Sequence, residues 1–316
     1  MLHRSRYVLP GLLCLCCELG HAELAPGDHT FALTYQHRNR SYIVHVPRLS
    51  ASGPRAVVLN FHGGGGHAAN QQSYSRMDAT ADREGFLAVY PNGTGRFGTR
   101  LLTWNAGTCC GSAQKDNVDD VGFTRAVIED LSRRTLVNRS RIYATGLSNG
   151  AMMAYRLAVE ASDLVAAIAP VAGSEVIGFD AAQPMPIMYI HSVDDPRALY
   201  QGGLGPSFPF TNVRVLHTPV EQVVSRWAAF NGCPHEARAD PTVHGAGKTA
   251  AFTATRMVYA PCKDGTEVVL WKLTGSGHVW PGGQVDYLPR VLGPGTDVID
   301  ANTEMWKFFS RFVRTP

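Results

Sequence analysis

The sequence has few of the features that mark several large classes of protein. Its 316 residues contain 17% charged side chains, and the formal net charge is only +3. Lysine and arginine are scattered, without a basic tract or a basic face interleaved with aromatics, so nucleic acid is not expected as a partner. No internal repeat, low-complexity segment or Ser/Thr/Pro-rich linker occurs, and this favours a single domain.

Motifs for metal and nucleotide chemistry are also missing. The twelve histidines never form a His-Glu-x-x-His pair, and the cysteines beyond residue 22 lack the spacing of a zinc site. A glycine-rich run at 62–67 (His-Gly-Gly-Gly-Gly-His) is not followed by Gly-Lys-Ser/Thr, so it is not a phosphate-binding loop. Metal catalysis is therefore disfavoured, and we expect no metal site.

The first 22 residues predict a signal peptide. Two arginines precede a short apolar run at 7–17, and small residues stand at 20 and 22, which is the pattern of a cleaved leader. We expect cleavage after Ala22, a secreted (extracellular or periplasmic) protein, and one mature domain over 23–316. The apolar run is too short to span a bilayer. A lipoprotein anchor is the weaker alternative, because no small residue precedes the cysteines of this segment: Cys14, Cys16 and Cys17.

The remaining four cysteines form an even set in an oxidising compartment. Three pairings are possible among Cys109, Cys110, Cys233 and Cys262. We favour a Cys233–Cys262 disulfide, because both residues lie in loops that bracket the late part of the domain. Cys109 and Cys110 would then form a vicinal bridge or stay free.

The stretch 145–153 (Thr-Gly-Leu-Ser-Asn-Gly-Ala-Met-Met) organises the chain. A β-rich run precedes its Gly-x-Ser-x-Gly pattern and helix formers follow it, so a strand, a sharp turn and a helix are predicted, with Ser148 at the turn. Gly146 and Gly150 lack Cβ atoms, which lets strand and helix close around a strained nucleophile. The alternative is an ordinary Gly-Ser-rich loop, which this context disfavours.

A second loop fits the same chemistry. The apolar run 56–61 predicts a buried strand that leads straight into the glycines at 63–66. A backbone N–H of Gly63 or Gly64, together with that of Asn149, would hold the negative oxygen of a tetrahedral intermediate.

A serine nucleophile needs a base and an acid that orients the base. In this architecture the chain order is Ser, then acid, then His. Asp195 and His278 each follow a predicted strand, at the edge where sites collect in an open α/β sheet. Asp194 is the rival acid, and Asp195 is preferred because Pro196 fixes the turn directly after it.

His278 is the preferred base among several histidines. Gly277 before it and the Pro-Gly pair at 281–282 build an exposed, shaped loop. The competing histidines lack such a setting: His191, His217, His235 and His244.

Two adjacent acids, Asp119 and Asp120, precede a helix predicted to reach about Arg134. Acids at a helix N-terminus cap free N–H groups and meet the positive end of the dipole. Capping is therefore preferred to a catalytic or metal-binding role.

Four blocks in this order resemble the secreted polyhydroxybutyrate-depolymerase-type esterases, a family that includes feruloyl and acetylxylan esterases. They are residues 62–65, 118–123, 146–150 and 277–282. The resemblance implies an α/β-hydrolase fold with a mostly parallel central sheet and helices on both faces, an acyl-serine mechanism and no cofactor. It gives Ser148, Asp195 and His278 as the triad, and it suggests that Trp104 and Trp280 lie near the substrate. The acid motif of the family often reads His-Gly-Thr-x-Asp, whereas this chain has His-Ser-Val-Asp-Asp at 191–195.

We expect a secreted serine carboxylic-ester hydrolase acting on a small-molecule or oligomeric ester. Hydroxycinnamoyl (feruloyl-type) esters of plant polysaccharide are favoured, because an aromatic acyl group would stack on Trp104 or Trp280. A poly- or oligo(3-hydroxybutyrate) depolymerase is the runner-up. A peptidase and a non-catalytic secreted binding protein on the same fold are the alternatives from other classes.

Overall fold

The computed structural model describes residues 23–49, 53–175, 177–178, 181–208 and 212–314. The predicted signal peptide lies outside these residues. In the part of the chain that is described, no helix has the length and apolar character needed to cross a membrane.

Strands and helices alternate along most of the described chain. The strands are β1 (Gly27–Tyr35), β2 (Arg38–Val46), β3 (Arg55–Phe61), β4 (Leu87–Pro91), β5 (Val137–Leu147), β6 (Ala167–Val171), β7 (Ile187–Ser192), β8 (Gly203–Leu204), β9 (Leu216–His217), β10 (Arg238–Ala239), β11 (Val243–His244), β12 (Thr253–Tyr259) and β13 (Val268–Thr274). The helices are α1 (Ala68–Ser75), α2 (Met77–Glu84), α3 (Gly111–Lys115), α4 (Asp120–Ser132), α5 (Asn149–Glu160), α6 (Val220–Phe230), α7 (Pro289–Leu292) and α8 (Ala301–Phe309).

Eleven of these strands form one sheet. Its order is β1-β2-β4-β3-β5-β6-β7-β13-β12-β10, with β11 also paired to β12. The six central strands from β4 to β13 run parallel, and the flanking strands at both edges are antiparallel. The carboxyl ends of the parallel strands therefore lie along one edge, where loops from β3, β5, β7 and β13 meet.

Helices cover both faces of this sheet. Side chains alternate along β3, so Val57, Leu59 and Phe61 pack into one apolar cluster while Ala56 and Val58 pack into another. The first cluster also holds buried residues of α4, α5 and α6, and the second holds those of α1, α2 and α8. The prediction of a mostly parallel sheet with helices on both faces is confirmed.

Both pairs of cysteines beyond residue 22 are disulfide-bonded. Cys233, just after α6, is joined to Cys262, just after β12, so the predicted pairing is confirmed. Cys109 and Cys110 form a vicinal disulfide in the long loop before α3. Of the two alternatives for this pair, a vicinal bridge or free thiols, the structure has the bridge.

A charged cluster ties the first strands to α2. His45 on β2 is 8% exposed, and its Nδ1 lies 2.6 Å from Asp28 Oδ1 while its Nε2 lies 3.1 Å from Asp82 Oδ1. The Asp78 carboxylate is 3.9 Å from the same Nδ1. Burial alone lowers the pKa of His45, but the three carboxylates outweigh it and raise this pKa above its ordinary value. The imidazolium therefore links β1, β2 and α2.

Replacing His45 with Gln should destabilise the protein in a pH-dependent way. The folded-state pKa of His45 is raised, so its contribution is complete below about pH 6.5 and is lost as the pH rises through the folded pKa. Charge-assisted hydrogen bonds of this kind contribute about 1.5 to 3 kcal/mol. We expect His45→Gln to lower the free energy of unfolding by about that amount near pH 5.5, and by less near pH 9.

Urea unfolding at both pH values measures this effect. His244→Gln is the control, since His244 is exposed on β11, and it should change stability at neither pH. An equal loss for His45→Gln at the two pH values would contradict a charged role for this residue.

Candidate active site

Ser148 stands at a strained turn between strand and helix. It directly follows β5 and directly precedes α5, with φ 58° and ψ −118°. Such a conformation costs a non-glycine residue about 1 to 3 kcal/mol, so its surroundings must hold it. The Ser148 N–H donates to Val171 O at 2.9 Å, and Ser148 O accepts from Met152 N–H at 3.0 Å. These two bonds fix the elbow that the sequence predicts.

Two glycines let β3, β5 and α5 meet at the elbow. A Cβ atom on Gly150 would overlap the carbonyl oxygen of Phe61, the last residue of β3. A Cβ atom on Gly146 would lie 2.6 Å from that same oxygen. Real Cβ atoms do not approach backbone oxygen this closely, so both positions require glycine for close packing.

The glycine-rich loop after β3 lies beside the nucleophile. A Cβ placed on Gly63 would be 3.5 Å from Ser148 Cβ, and one on Gly64 would be 3.7 Å from Asn149 Cβ. The Gly63 carbonyl accepts from His62 Nδ1 at 2.8 Å and from Gly66 N–H at 3.0 Å. Since N–H and C=O point in opposite directions across a trans peptide, the Gly64 N–H is directed away from these partners. This orientation suits an oxyanion donor.

His62 is a structural residue of this loop. Its Nε2 accepts a hydrogen bond from Gly93 N–H at 3.0 Å, which leaves the proton on Nδ1 for Gly63 O. Complete burial lowers the pKa of His62 to about 4. The imidazole is therefore neutral at ordinary pH and fixes the loop.

The side chain and the backbone N–H of Asn149 have different roles. Asn149 Oδ1 accepts from Trp104 N–H at 2.7 Å, and Asn149 Nδ2 donates to Trp104 O at 3.1 Å. The Asn149 N–H belongs to the first turn of α5, where backbone donors lack partners within the helix. The side chain thus fixes the long loop, and the N–H is available beside Ser148. The structure brings Gly63, Gly64 and Asn149 together.

Asp195 and His278 meet at the neighbouring strand ends. Asp195 follows β7 and His278 follows β13, which pairs with β7 in parallel. His278 Nδ1 lies 2.7 Å from Asp195 Oδ2, and both side chains are buried. The other carboxylate oxygen accepts the N–H groups of Arg197 and Ala198 at 2.7 and 2.8 Å. Burial alone raises the pKa of Asp195, but His278 and His191 outweigh it and hold this pKa well below the ordinary range.

The rival acid has a different partner. Asp194 Oδ2 accepts from Gly275 N–H at 2.6 Å in the loop that carries the histidine. Asp194 therefore braces this loop, while Asp195 contacts the imidazole.

The proton-transfer step from Ser148 to His278 remains a prediction. His278 uses Nδ1 for Asp195 and its backbone N–H for Leu292 O, which leaves Nε2 for the nucleophile. Within the described residues, no hydrogen bond joins this Nε2 to the Ser148 hydroxyl. Bonds between nucleophile and base commonly tighten only when substrate is bound.

The two tryptophans suggested for substrate contact are buried. Trp104 is 0% exposed and donates from Nε1 to His62 O at 2.9 Å. Trp280 is 1% exposed and donates from Nε1 to Asn302 Oδ1 at 3.0 Å. Stacking on a substrate requires an accessible ring face, and neither ring offers one. Their burial instead supports a role in holding the loops around the site.

Phe208 is an aromatic residue beside the site that no motif in the sequence indicates. A Cβ placed on Gly64 would lie 3.7 Å from Phe208 Cε1, so this ring reaches the glycine-rich loop. Phe208 is partly buried against an apolar cluster that includes Cys109, Cys110 and Met152. Its position in an irregular loop between β8 and β9 gives no local signal of this contact.

The paired acids at the start of α4 are structural. Asp119 Oδ1 caps the helix by accepting from Gly122 N–H at 2.7 Å, as expected. Asp120 is fully buried, lies 2.7 Å from Arg40 Nη2, and accepts from Asn105 N–H at 2.8 Å. Because Asn105 follows Trp104, this buried ion pair holds the long loop behind the elbow.

Comparison with known proteins identifies the family. A family model described as "Esterase PHB depolymerase" matches residues 40–251. The chain belongs to this esterase family. This membership, together with the similarity to proteins named esterases, makes the protein a serine carboxylic-ester hydrolase.

Relatives and solved structures agree with this membership. A Nocardia uniformis subsp. tsuyamanensis protein named "Putative esterase NocK" is 31% identical over 272 residues, covering 81% of this chain and 75% of that protein. Feruloyl esterase B of Piromyces equi is 29% identical over 237 residues, covering 73% of this chain but only 41% of the relative. The chain thus spans less than half the length of the second protein.

The fold has solved counterparts. An acetyl xylan esterase from Aspergillus awamori superposes with a TM-score of 0.54 at 15% identity, covering 89% of this chain and 99% of that one. The fold of this esterase is accordingly the α/β-hydrolase fold, as the resemblance implied.

Replacing Gly150 with Ala should disrupt the elbow of this esterase. The added methyl group would overlap the backbone oxygen at the end of β3, and overpacking typically costs about 1 to 3 kcal/mol, with the closest overlaps at the upper end. We expect a matching loss of unfolding free energy in urea and a large loss of esterase activity. The control is Gly178→Ala, because a Cβ at Gly178 meets nothing within 4 Å. If both variants kept the stability of the parent protein, the close approach described above would be wrong.

Proposed function

We propose that this esterase acts through an acyl-serine intermediate built on Ser148, His278 and Asp195. His278 Nε2 takes the hydroxyl proton while Ser148 Oγ bonds to the ester carbonyl carbon. Asp195 holds His278 through Nδ1 and stabilises the imidazolium that forms. The 2.7 Å contact between these two residues is the observation that carries the proposal.

The oxyanion is held by backbone donors in this scheme. Negative charge develops on the carbonyl oxygen as the new bond forms, and the N–H groups of Asn149 and of Gly63 or Gly64 stabilise it. The intermediate collapses when the C–O bond to the alcohol breaks and His278 returns the proton to the leaving oxygen. Water, with His278 again as base, then attacks the acyl group and releases the acid and free Ser148.

The substrate class we propose is hydroxycinnamoyl (feruloyl-type) esters of plant polysaccharide. Support comes from the feruloyl esterase relative and from the apolar cluster beside the glycine-rich loop, where Phe208 packs with the vicinal disulfide. An aromatic acyl group gains from contact with such a ring. This interpretation replaces Trp104 and Trp280 with Phe208 as the aromatic contact.

Oligomers of 3-hydroxybutyrate are the second candidate substrate. The description of the matching family favours them, and the same apolar cluster would accept a short aliphatic acyl chain.

We also propose that the protein is secreted. The composition of residues 1–22 supports export, and the two disulfides in the described chain suit an oxidising compartment.

Ser148→Ala should abolish turnover without loss of structure. Removal of a serine nucleophile typically lowers kcat by about 10⁴ to 10⁶. We expect a drop of that size on p-nitrophenyl acetate and an unchanged unfolding midpoint. Wild-type rates in the purified, folded Ser148→Ala protein would refute the mechanism.

Phe208→Ala should lower activity on esters of aromatic acids and leave activity on esters of small acids unchanged. Loss of an aromatic contact of about 0.5 to 1.5 kcal/mol predicts a kcat/KM on methyl ferulate lowered about two- to tenfold, with p-nitrophenyl acetate unaffected. The control is Leu136→Ala, an exposed apolar residue just before β5 and thus at the opposite edge of the sheet.

Assays of wild type on methyl ferulate and on 3-hydroxybutyrate oligomers, run side by side, decide between the two candidate substrate classes. Turnover of the oligomers alone would overturn the hydroxycinnamoyl proposal.

A further inference from the structure

A second imidazole contacts the acid of the proposed triad. His191, near the end of β7, is 1% exposed, and its Nε2 lies 3.2 Å from Asp195 Oδ2. The same oxygen lies 2.7 Å from His278 Nδ1. One carboxylate oxygen is therefore shared by two ring nitrogens from two different histidines.

The position of the proton on His191 follows from its other partner. His191 Nε2 also lies 2.7 Å from the carbonyl oxygen of Ala198. A carbonyl oxygen can only accept, so Nε2 must carry the hydrogen. That N–H therefore donates to Ala198 O, and the same ring edge lies 3.2 Å from Asp195 Oδ2, close enough for an electrostatic contact.

The opposite side of the ring is anchored as well. His191 Nδ1 lies 2.7 Å from the Tyr189 hydroxyl, which is 3.2 Å from Ser174 Oγ. Ser174 in turn donates to Thr218 O at 2.8 Å. Because His191, Tyr189 and Ser174 are buried and bonded, the imidazole cannot turn away from Asp195 without breaking several hydrogen bonds.

The Asp195 carboxylate is thereby saturated. Oδ1 accepts two backbone N–H groups and Oδ2 faces two imidazoles, which accounts for about four acceptor positions of an ionised carboxylate. Each donor withdraws negative charge from the oxygen that it contacts. His191 and His278 thus compete for the charge on Oδ2.

We propose that His191 is a positioning residue that weakens the hold of Asp195 on the His278 proton. The proposal rests on the triad argued above. His191 does not touch the reacting atoms in this scheme; it acts through Asp195. By sharing Oδ2, it reduces the negative charge that Asp195 presents to the His278 ring.

Other titratable groups around this pair cannot take over that role. Burial lowers the pKa of His217 to about 4, so it is neutral through most of the working range. Burial also raises the pKa values of Tyr189 and Tyr200, which stay neutral. The charged groups of the surrounding elements have other partners in the described chain: Asp194 with Gly275 N–H, Arg197 with Ser207 O, and Lys272 with Glu221.

Removing the His191 side chain should shift the acid limb of the pH–rate profile to higher pH. Without His191, the whole charge on Oδ2 faces His278 alone, and protonation of the catalytic base is what sets the acid limb of such a profile. The sign is the same for a neutral or a protonated His191, since a neutral N–H and a positive ring both oppose protonation of His278.

The test compares His191→Leu with His191→Gln, by kcat/KM on p-nitrophenyl acetate from about pH 4 to pH 9. Leucine removes the ring N–H, and we expect the midpoint of the acid limb to shift to higher pH by about one unit. Activity near pH 5 should then fall about tenfold, with little change near pH 8. Glutamine offers an amide N–H near the position of Nε2, and its acid limb should stay close to that of wild type.

Two outcomes would overturn the proposal: an unmoved limb in His191→Leu, or equal shifts in both variants. If the leucine variant does not fold, Tyr189→Phe carries the test. It leaves the ring in place but removes the partner of Nδ1, and we expect a smaller shift in the same direction; an unmoved limb there would equally refute the proposal. Ser148→Ala measured in parallel separates the two failures. Retained activity in that variant would refute the triad on which the role of His191 rests, whereas an unmoved limb beside an inactive Ser148→Ala protein would refute the role of His191 alone.

Discussion

The architecture of the site depends on one close approach, between the end of β3 and the start of α5. The helix begins so near the Phe61 carbonyl oxygen that position 150 cannot carry a side chain. This approach places the glycine-rich loop after β3 against Ser148 and Asn149. Backbone donors from two separate segments can then face the same small volume. The nucleophile and its oxyanion donors are thus consequences of a single packing constraint.

Buried polar contacts hold the long loop that closes the site from behind. Asn149 uses its whole amide on the Trp104 backbone, and Trp104 bonds His62 O through its indole. The Arg40–Asp120 pair reaches the same loop through Asn105. Each of these side chains is buried and makes at least one of these bonds, so loss of one would leave a partner unsatisfied in an apolar setting. The loop is therefore held at several points by buried hydrogen bonds.

Patterns local in sequence predicted much of this molecule. The Gly-x-Ser-x-Gly pattern lies between a strand and a helix, and the glycine run directly follows a buried strand, because both features are set by backbone sterics of adjacent residues. The chain order of acid and histidine selected two residues that do meet, Asp195 and His278. Fold class followed from the same elements.

Contacts between distant residues were beyond such patterns. Asp120 pairs with Arg40, from which it is 80 residues distant in the chain, and nothing in the sequence pattern indicates that they touch. The burial of Trp104 and Trp280 depends on loops folding over them, whereas a tryptophan in a loop sequence suggests an exposed ring. The proximity of Phe208 to Gly64 depends on how the loop between β8 and β9 folds, which no local pattern indicates.

The central claim is that the hydroxyl at the strained elbow is the reacting nucleophile. Treatment with a fluorophosphonate, followed by peptide mapping in a mass spectrometer, tests it directly, because such reagents bond covalently to an activated serine. The account predicts one adduct, on the peptide containing Ser148, formed in step with loss of esterase activity. An adduct on another residue, or full inactivation with Ser148 unmodified, would contradict it.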